Sequence, residues 1–205
     1  MRLLAIETAT EACSVALFDE GRPIGGFHET IGRGHAEKLV PMIARLKNRG
    51  RADMVCVSLG PGSFTGVRIG LATARALAIA WNVPVRGYPT LALVAAIARN
   101  QGASDVTVCM NGGHGEWFVQ DFGSDGLPLC ELSSLTPEHA AQRAARATIA
   151  GSRAGDLATM IGHPDDRVVT ALPDASCFGA LPEALLTDQL SPLYGRGPDA
   201  KLPTR

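Results

Sequence analysis

The segment of this sequence best suited to chemistry is a glycine-rich turn that runs directly into a helix pattern. Gly60, Pro61 and Gly62 end an apolar strand pattern. Ser63 or Thr65 can then cap the first N–H groups of the helix that begins near Phe64. A helix N-terminus beside glycines can also bind an anion through its backbone N–H groups. Capping and phosphate binding therefore compete at this turn, and the residues favour capping.

A single carboxylate, Glu7, ends the first strand pattern. Actin-like ATPases and sugar kinases place an acidic residue at this point to hold metal-bound nucleotide, and they also need a second phosphate turn and usually a second carboxylate. The second turn would follow Met110, where the chain has Asn111 to Glu116 with no acid at its start. A capping or hydrogen-bonding role is therefore favoured for Glu7 over nucleotide chemistry.

Metal and nucleophile chemistry have little support in the sequence. His35 begins a helix pattern, but position 39 is Leu39, so the second histidine that would share its face is absent. Ser63 does not lie in a Gly-x-Ser-x-Gly elbow. The five cysteines are scattered without a Cys-x-x-Cys spacing, which predicts buried thiols in a reducing compartment. We expect no metal site and no disulfide framework.

The helix that starts at Phe64 has almost no polar face, so the protein's own sheet cannot cover its whole circumference. Its polar residues are Thr65, Arg68, Thr73 and Arg75. Gly66, Gly70 and Ala74 recur every fourth residue and form a strip that a second backbone can approach closely. That backbone belongs either to the chain's own neighbouring helix or to a partner subunit. The two arginines are either solvated charges or hydrogen-bonding anchors at an interface.

Composition limits the classes of function. The chain has 205 residues and a formal net charge of −1, so it has no global basic field that would attract nucleic acid. Contact with tRNA or DNA would need a local patch or a partner. The N-terminus starts with a strand pattern instead of a signal segment, and no apolar run approaches the ~20 residues of a membrane helix. We expect a cytoplasmic protein without membrane contact.

The order of predicted elements indicates the fold. The first half has three strands, a helix interrupted by Pro41, a strand, the apolar helix, a strand and a helix. This order matches the ribonuclease-H-like half of the actin and sugar-kinase superfamily. The second half is a weaker echo, with strand patterns that include 127–132 and helix patterns at 137–146 and 177–186. We predict an α/β fold of two such lobes, residues 1–102 and a reduced lobe 103–205 whose tail is extended from Leu190.

Four segments resemble the TsaB family, formerly called YeaZ: Ile6–Thr10, Gly34–Ile43, Gly60–Gly70 and Pro192–Arg196. The Ser-Phe-Thr-Gly-Val-Arg run after a strand is the most specific of these signals. The resemblance implies a catalytically silent subunit needed to make threonylcarbamoyladenosine next to the anticodon of tRNAs that read codons beginning with A. It also implies a degenerate paralogue of TsaD, the subunit that transfers the threonylcarbamoyl group.

The resemblance further implies partners. It favours a partner subunit, and not the chain's own neighbouring helix, as the backbone that covers the strip of Gly66, Gly70 and Ala74. The expected partners are a TsaD-like subunit, a TsaE-like ATPase, a second copy of the chain when it is alone, and tRNA only through the complex. The implied partner interface is His35, Leu39, Met42, Ile43, Phe64, Val67, Arg68, Gly70, Leu71, Ala74 and Arg75. Candidate anion or nucleotide contacts are Glu7, Gly60, Gly62 and Ser63. No intrinsic cofactor is expected. The candidate place for ATP or ADP is the junction with the partner subunit.

The sequence departs from the family pattern in the second lobe. Where the family has Asp-Ala-Arg-x-Gly-Glu, this chain has Asn111 to Glu116 without the acid and the arginine. TsaD-like proteins also carry a His-x-x-x-His metal motif, of which only His35 remains. The alternative function is an autonomous actin-like ATPase or kinase, or a glycoprotease-like peptidase. Such an enzyme would need a second carboxylate near Asn111 and a metal pair near His35, and the sequence has neither.

Overall fold

The computed structural model describes residues 1–143 and 145–195. Its strands are β1 (Arg2–Glu7), β2 (Ala12–Asp19), β3 (Arg22–Thr30), β4 (Met54–Ser58), β5 (Val85–Tyr88), β6 (Val106–Gly113), β7 (Glu116–Phe122), β8 (Ser133–Leu135), β9 (Thr148–Ala150) and β10 (Val168–Val169). Its helices are α1 (His35–Arg45), α2 (Phe64–Trp81), α3 (Thr90–Asn100), α4 (Pro137–Ala141) and α5 (Ala154–Ile161). None of these helices combines the length and the apolar character that crossing a bilayer requires.

The strands form two sheets with the same internal order. The first sheet runs β3-β2-β1-β4-β5, and the second runs β8-β7-β6-β9-β10. In each sheet the first three strands in chain order form an antiparallel meander, and the last two run parallel to the first strand of the set. This repeated order confirms the predicted α/β fold of two ribonuclease-H-like lobes, the second built from shorter elements.

Helices α1 and α2 pack on one face of the first sheet. Leu39 and Met42 of α1 and Val67 and Leu71 of α2 lie in one buried cluster with residues of β1, β2 and β4. The strands that they cover are apolar on both faces, as expected for strands packed between two layers. This packing fixes the direction in which every residue of α2 points.

The opposite face of the first sheet is covered by α3 and by a segment that returns from the end of the chain. Two 3₁₀ turns, Ala175–Ala180 and Glu183–Leu185, replace the predicted helix at 177–186. Gly179 and Pro182 interrupt that helix pattern. Phe178 packs against the Tyr88 ring at 5.3 Å between ring centroids. Residues 175–195, predicted as part of the second lobe, thus contact the first; the boundary at residue 102 stays a prediction.

The second lobe differs from the prediction in three further places. The predicted strand at 127–132 is wrong: it follows a turn closed by the bond from the Gly126 N–H to the Gly123 carbonyl, it has only an isolated bridge at Pro128, and β8 begins at Ser133. The predicted helix at 137–146 is the short α4, which ends at Ala141. Helix α5 was not predicted at all. Arg196 and the rest of the predicted tail lie outside the described residues.

Candidate pairing surface and interlobe cleft

A cleft of about 840 Å³ separates the two lobes. The starts of α1 and α2 line one side, and the turn from Met110 to His114 lines the other. The cleft holds charges of both signs, since Glu11 and Glu37 line it together with Arg33. Of the four candidate anion contacts, Gly62 and Ser63 line the cleft, whereas Glu7 and Gly60 do not.

The N-terminus of α2 is covered by the chain's own first loop. The Ser63 hydroxyl accepts a hydrogen bond from the Gly66 N–H at 3.2 Å, which confirms the predicted cap. The Ser63 N–H donates to the Ala9 carbonyl at 2.6 Å. A side chain added at Gly62 would collide with the Ala9 carbonyl. The Ser63 and Gly66 N–H groups are therefore already satisfied within the chain, although this end of the helix lines the cleft.

Glu7 is fully buried beneath that loop. Its Oε1 accepts hydrogen bonds from the Ala9 N–H at 2.7 Å and from the Ser58 hydroxyl at 2.8 Å. Among the described residues, its Oε2 has no hydrogen-bond partner, and neither has the buried hydroxyl of Thr90. Burial raises the pKa of Glu7 to about 7, against the lowering effect of these hydrogen bonds. The carboxyl group thus has the hydrogen-bonding role that the sequence favoured.

No group of three His, Cys, Asp or Glu side chains lies together as a metal-ligand set anywhere in residues 1–143 and 145–195. Burial also raises the pKa of the Cys56 and Cys109 thiols to about 12, so neither is a nucleophile at neutral pH.

One serine, one histidine and one aspartate meet at the edge of the first sheet, but in the wrong order for a hydrolase. The Ser14 hydroxyl donates to Oδ1 of Asp174 at 3.1 Å. The His28 ring contacts the other oxygen of the same carboxylate at 3.6 Å. A nucleophilic serine needs a base that takes its proton, with the acid behind the base. Here the acid lies between the two, and the serine is fully buried.

The strip formed by Gly66, Gly70 and Ala74 faces the inside of the chain, which corrects the expectation that a partner covers it. Ala74 is fully buried in the first-lobe core. A side chain added at Gly66 would collide with the Thr8 carbonyl, and one added at Gly70 with the Thr8 hydroxyl. The backbone that approaches α2 along this strip is therefore the chain's own first loop.

Most of the other predicted interface residues are also buried within the chain. They are His35, Leu39, Met42, Ile43, Val67 and Leu71. The His35 ring nitrogen Nε2 contacts the Ala12 carbonyl at 3.1 Å, so this side chain is satisfied internally. A partner cannot contact these side chains without opening the core, and their assignment to the interface is wrong for this conformation.

The outward face of α2 carries a second strip of small residues. Ala72, Ala76 and Ala80 recur every fourth residue and are exposed. This strip starts two positions after Gly70, which is about 200° around a helix of 3.6 residues per turn. Ile79 beside it is 83% exposed, and Val40 of α1 is 53% exposed. The sequence analysis did not predict this face. Arg68 and Arg75 were the available signal, because charged side chains are expected on the solvent side of a helix and these two lie on the same side as the alanine strip.

Phe64, Arg68 and Arg75 are exposed, but the two arginines bind the chain itself. Their partners lie in residues 187–195, called the strap below. Arg68 donates from Nη2 to the Tyr194 hydroxyl at 2.8 Å. Arg75 donates from Nη2 to the Leu190 carbonyl at 2.8 Å. Both are therefore hydrogen-bonding anchors, although not to a second subunit.

Comparison with known proteins shows which family this chain belongs to. The model of the family described as "TsaD: tRNA N6-adenosine threonylcarbamoyltransferase" matches residues 18–127, a range that includes both α1 and α2. The solved structure "YeaZ from Pseudomonas aeruginosa" is 31% identical, with a TM-score of 0.76 over 94% of this chain and 99% of that chain. The chain belongs to the TsaB (YeaZ) family.

Curated members of the TsaB family are matched over part of their length. The chain is 37% identical to the tRNA threonylcarbamoyladenosine biosynthesis protein TsaB of Escherichia coli (strain K12) over 131 residues, 61% of this chain and 56% of that protein. It is 32% identical to the protein of the same description from Bacillus subtilis (strain 168), over 49% of this chain and 46% of that protein. The matches thus span about half the length of these relatives.

Proposed function

We propose that this chain is an assembly subunit in the synthesis of tRNA threonylcarbamoyladenosine, without catalytic activity of its own. In this proposal it pairs with a TsaD-type subunit, which transfers the threonylcarbamoyl group, and a TsaE-type ATPase joins the pair. When alone, the chain pairs with a second copy of itself through the same surface. Contact with tRNA is made through the complex, in the cytoplasm where tRNA is modified.

The observation that carries the proposal is the apolar stretch on the outward face of α2. Ala72, Ala76 and Ile79 expose an apolar surface along α2, and Val40 is exposed on α1, which packs in the same buried cluster as α2. Large exposed apolar patches are uncommon on monomers. The alanine spacing lets another helix approach closely. Because the TsaD family model matches a range containing α1 and α2, a TsaD-type subunit has counterparts of both helices to present in return.

The experiment combines the purified full chain with the TsaD-type subunit of the same source. Sedimentation gives the mass of the complex, calorimetry gives its Kd, and mass spectrometry of digested tRNA gives the extent of modification. We expect pairing of the two subunits, and modification only when both are present with the ATPase.

The critical variant is Ala76→Arg, which places a charge at the centre of the outward face while keeping a good helix former. Burying an unpaired charge should weaken pairing by at least about 100-fold. Met160→Arg on α5 is the matched control, since Met160 is an apolar residue 47% exposed on the other lobe. Wild-type affinity of Ala76→Arg, or modification of tRNA by the isolated chain, would refute the proposal.

A further inference from the structure

The strap is fastened to the first lobe at several points, although its sequence has no helix or strand pattern. Thr187 exchanges two backbone hydrogen bonds with Gly87 of β5, at 2.7 and 3.0 Å. The Leu193 N–H donates to the Leu59 carbonyl at 2.7 Å. Together with the Arg75 bond to Leu190, these contacts bring Tyr194 to the N-terminal end of α2.

Tyr194 forms a compact cluster there with two residues of α2. The Arg68 guanidinium carbon lies 3.1 Å from the centroid of the Phe64 ring. The Phe64 and Tyr194 rings are stacked, with centroids 6.1 Å apart and planes 30° apart. Each side chain thus limits the rotamers of the other two, so the cluster has little conformational entropy left to lose on binding.

The cluster is exposed in spite of these internal contacts. Phe64 remains 62% exposed and Tyr194 57% exposed. Exposed aromatic rings combined with an arginine are the composition that dominates binding energy in protein interfaces. A cluster that served only to fasten the strap would gain stability by turning its rings inward.

The cluster is continuous with the proposed pairing face. Arg68 lies one turn before Ala72 on the same side of α2, so a helix packed along the alanine strip would reach it. Helix α2 has no acidic residue, and its exposed charges are those of Arg68 and Arg75. The partner surface that fits is therefore an apolar helix face with carboxylates at its rim.

We infer that Phe64, Arg68 and Tyr194 form one contact patch for the TsaD-type subunit. The pairing surface then includes the strap, from the far end of the chain, as well as the two helices. This inference rests on the proposed function, because it names a further part of the same surface. The competing explanation is that the cluster only holds the strap in place.

The test compares two variants that loosen the strap in different places. Tyr194→Ala removes the exposed ring. Arg86→Gln removes the side-chain contacts of Arg86 with Glu183, with the Leu186 carbonyl and with Asp188 of the strap, away from the α2 surface. Calorimetry with the TsaD-type subunit should show at least about tenfold weaker binding for Tyr194→Ala and less than about twofold for Arg86→Gln. Equal effects of the two variants, or wild-type affinity of Tyr194→Ala, would overturn the inference.

A second measurement does not depend on the stability of the variants. Benzoylphenylalanine placed at Tyr194 should crosslink to the TsaD-type subunit on irradiation, whereas the same group at Met160 should not. Crosslinks at position 194 confined to the chain itself would also overturn the inference. Ala76→Arg separates the two proposals: if it abolishes pairing while Tyr194→Ala pairs normally, only the patch is wrong. If neither affects pairing, the proposed function fails with it.

Discussion

Helix α2 carries two strips of small residues on opposite faces, and their surroundings differ completely. Gly66 and Gly70 lie against Thr8 of the chain's own first loop, and Ala74 lies in the core. Ala72 and Ala76 face outward. Spacing alone shows only that a backbone can come close, not which backbone does. The neighbouring residues identify the face, because large aliphatic side chains accompany the inner strip and arginines accompany the outer one.

The largest effect is expected at the inner strip. Gly70→Leu would force a side chain into the space of Thr8 and Val57, and we expect it to lower the free energy of unfolding by about 3 kcal/mol or more. Urea unfolding followed by circular dichroism measures the change. Gly155→Leu on α5 is the matched control, since no other atom in the part of the chain that the structure describes lies within 4 Å of a Cβ added there. Normal stability of Gly70→Leu would mean that the inner strip is not packed as described.

An effect of up to similar size, but dependent on pH, is expected beneath the same loop. The carboxyl of Glu7 keeps its proton up to a pKa of about 7 in the folded chain, but loses it near 4.5 when unfolded. The folded state therefore binds more protons in this interval, and stability falls as pH rises through it. Glu7→Gln should remove this fall and gain about 3 kcal/mol relative to wild type at pH 8, but little at pH 4.

Urea titrations of both proteins across this pH range test the prediction. Glu131→Gln, at an exposed position, is the control and should keep the wild-type profile. Parallel pH profiles for wild type and Glu7→Gln would show that the buried carboxyl does not titrate in this interval. Because Glu7 has no catalytic part in the proposed function, the variant should still support tRNA modification.

The smallest effect on stability is expected at the outer strip. Ala72→Leu adds a side chain to an exposed position, so unfolding should change by less than about 0.5 kcal/mol. Pairing with the TsaD-type subunit should nevertheless weaken by about tenfold, since the added bulk separates the helices. Ala184→Leu, at an exposed alanine of the last 3₁₀ turn, should change neither quantity. A large loss of stability in Ala72→Leu would reverse the assignment of the two strips.

The sequence was sufficient to predict most of the first lobe, because its strands and helices are long and their apolar patterns are regular. The second lobe was harder, since a strand as short as Ser133–Leu135 and a helix as short as Pro137–Ala141 leave little pattern to recognise. The predicted strand at 127–132 failed where the turn around Gly126 decides the local structure.

The candidate site was predictable only in part. Arg68 and Arg75 were predicted as solvated charges or interface anchors because they are among the few polar residues of the helix, whereas Phe64 was assigned to the interface by the family resemblance alone. The direction of the glycine strip depends on Thr8, and the partner of Arg68 is Tyr194, 126 positions away. Contacts between residues so distant in the chain have no local signal, because they result from the packing of the completed lobes.

The backbone exchange between Thr187 and Gly87 has a consequence for how the molecule avoids unwanted polymerisation. β5 is the outermost strand of its sheet, and an open edge strand is a template on which another chain can add a strand. Here Thr187 of the strap pairs with both the N–H and the C=O group of Gly87, which point outward from that edge. Growth of the sheet by recruitment of neighbours is thereby blocked at this border, and association is left to side chains on the helical layer.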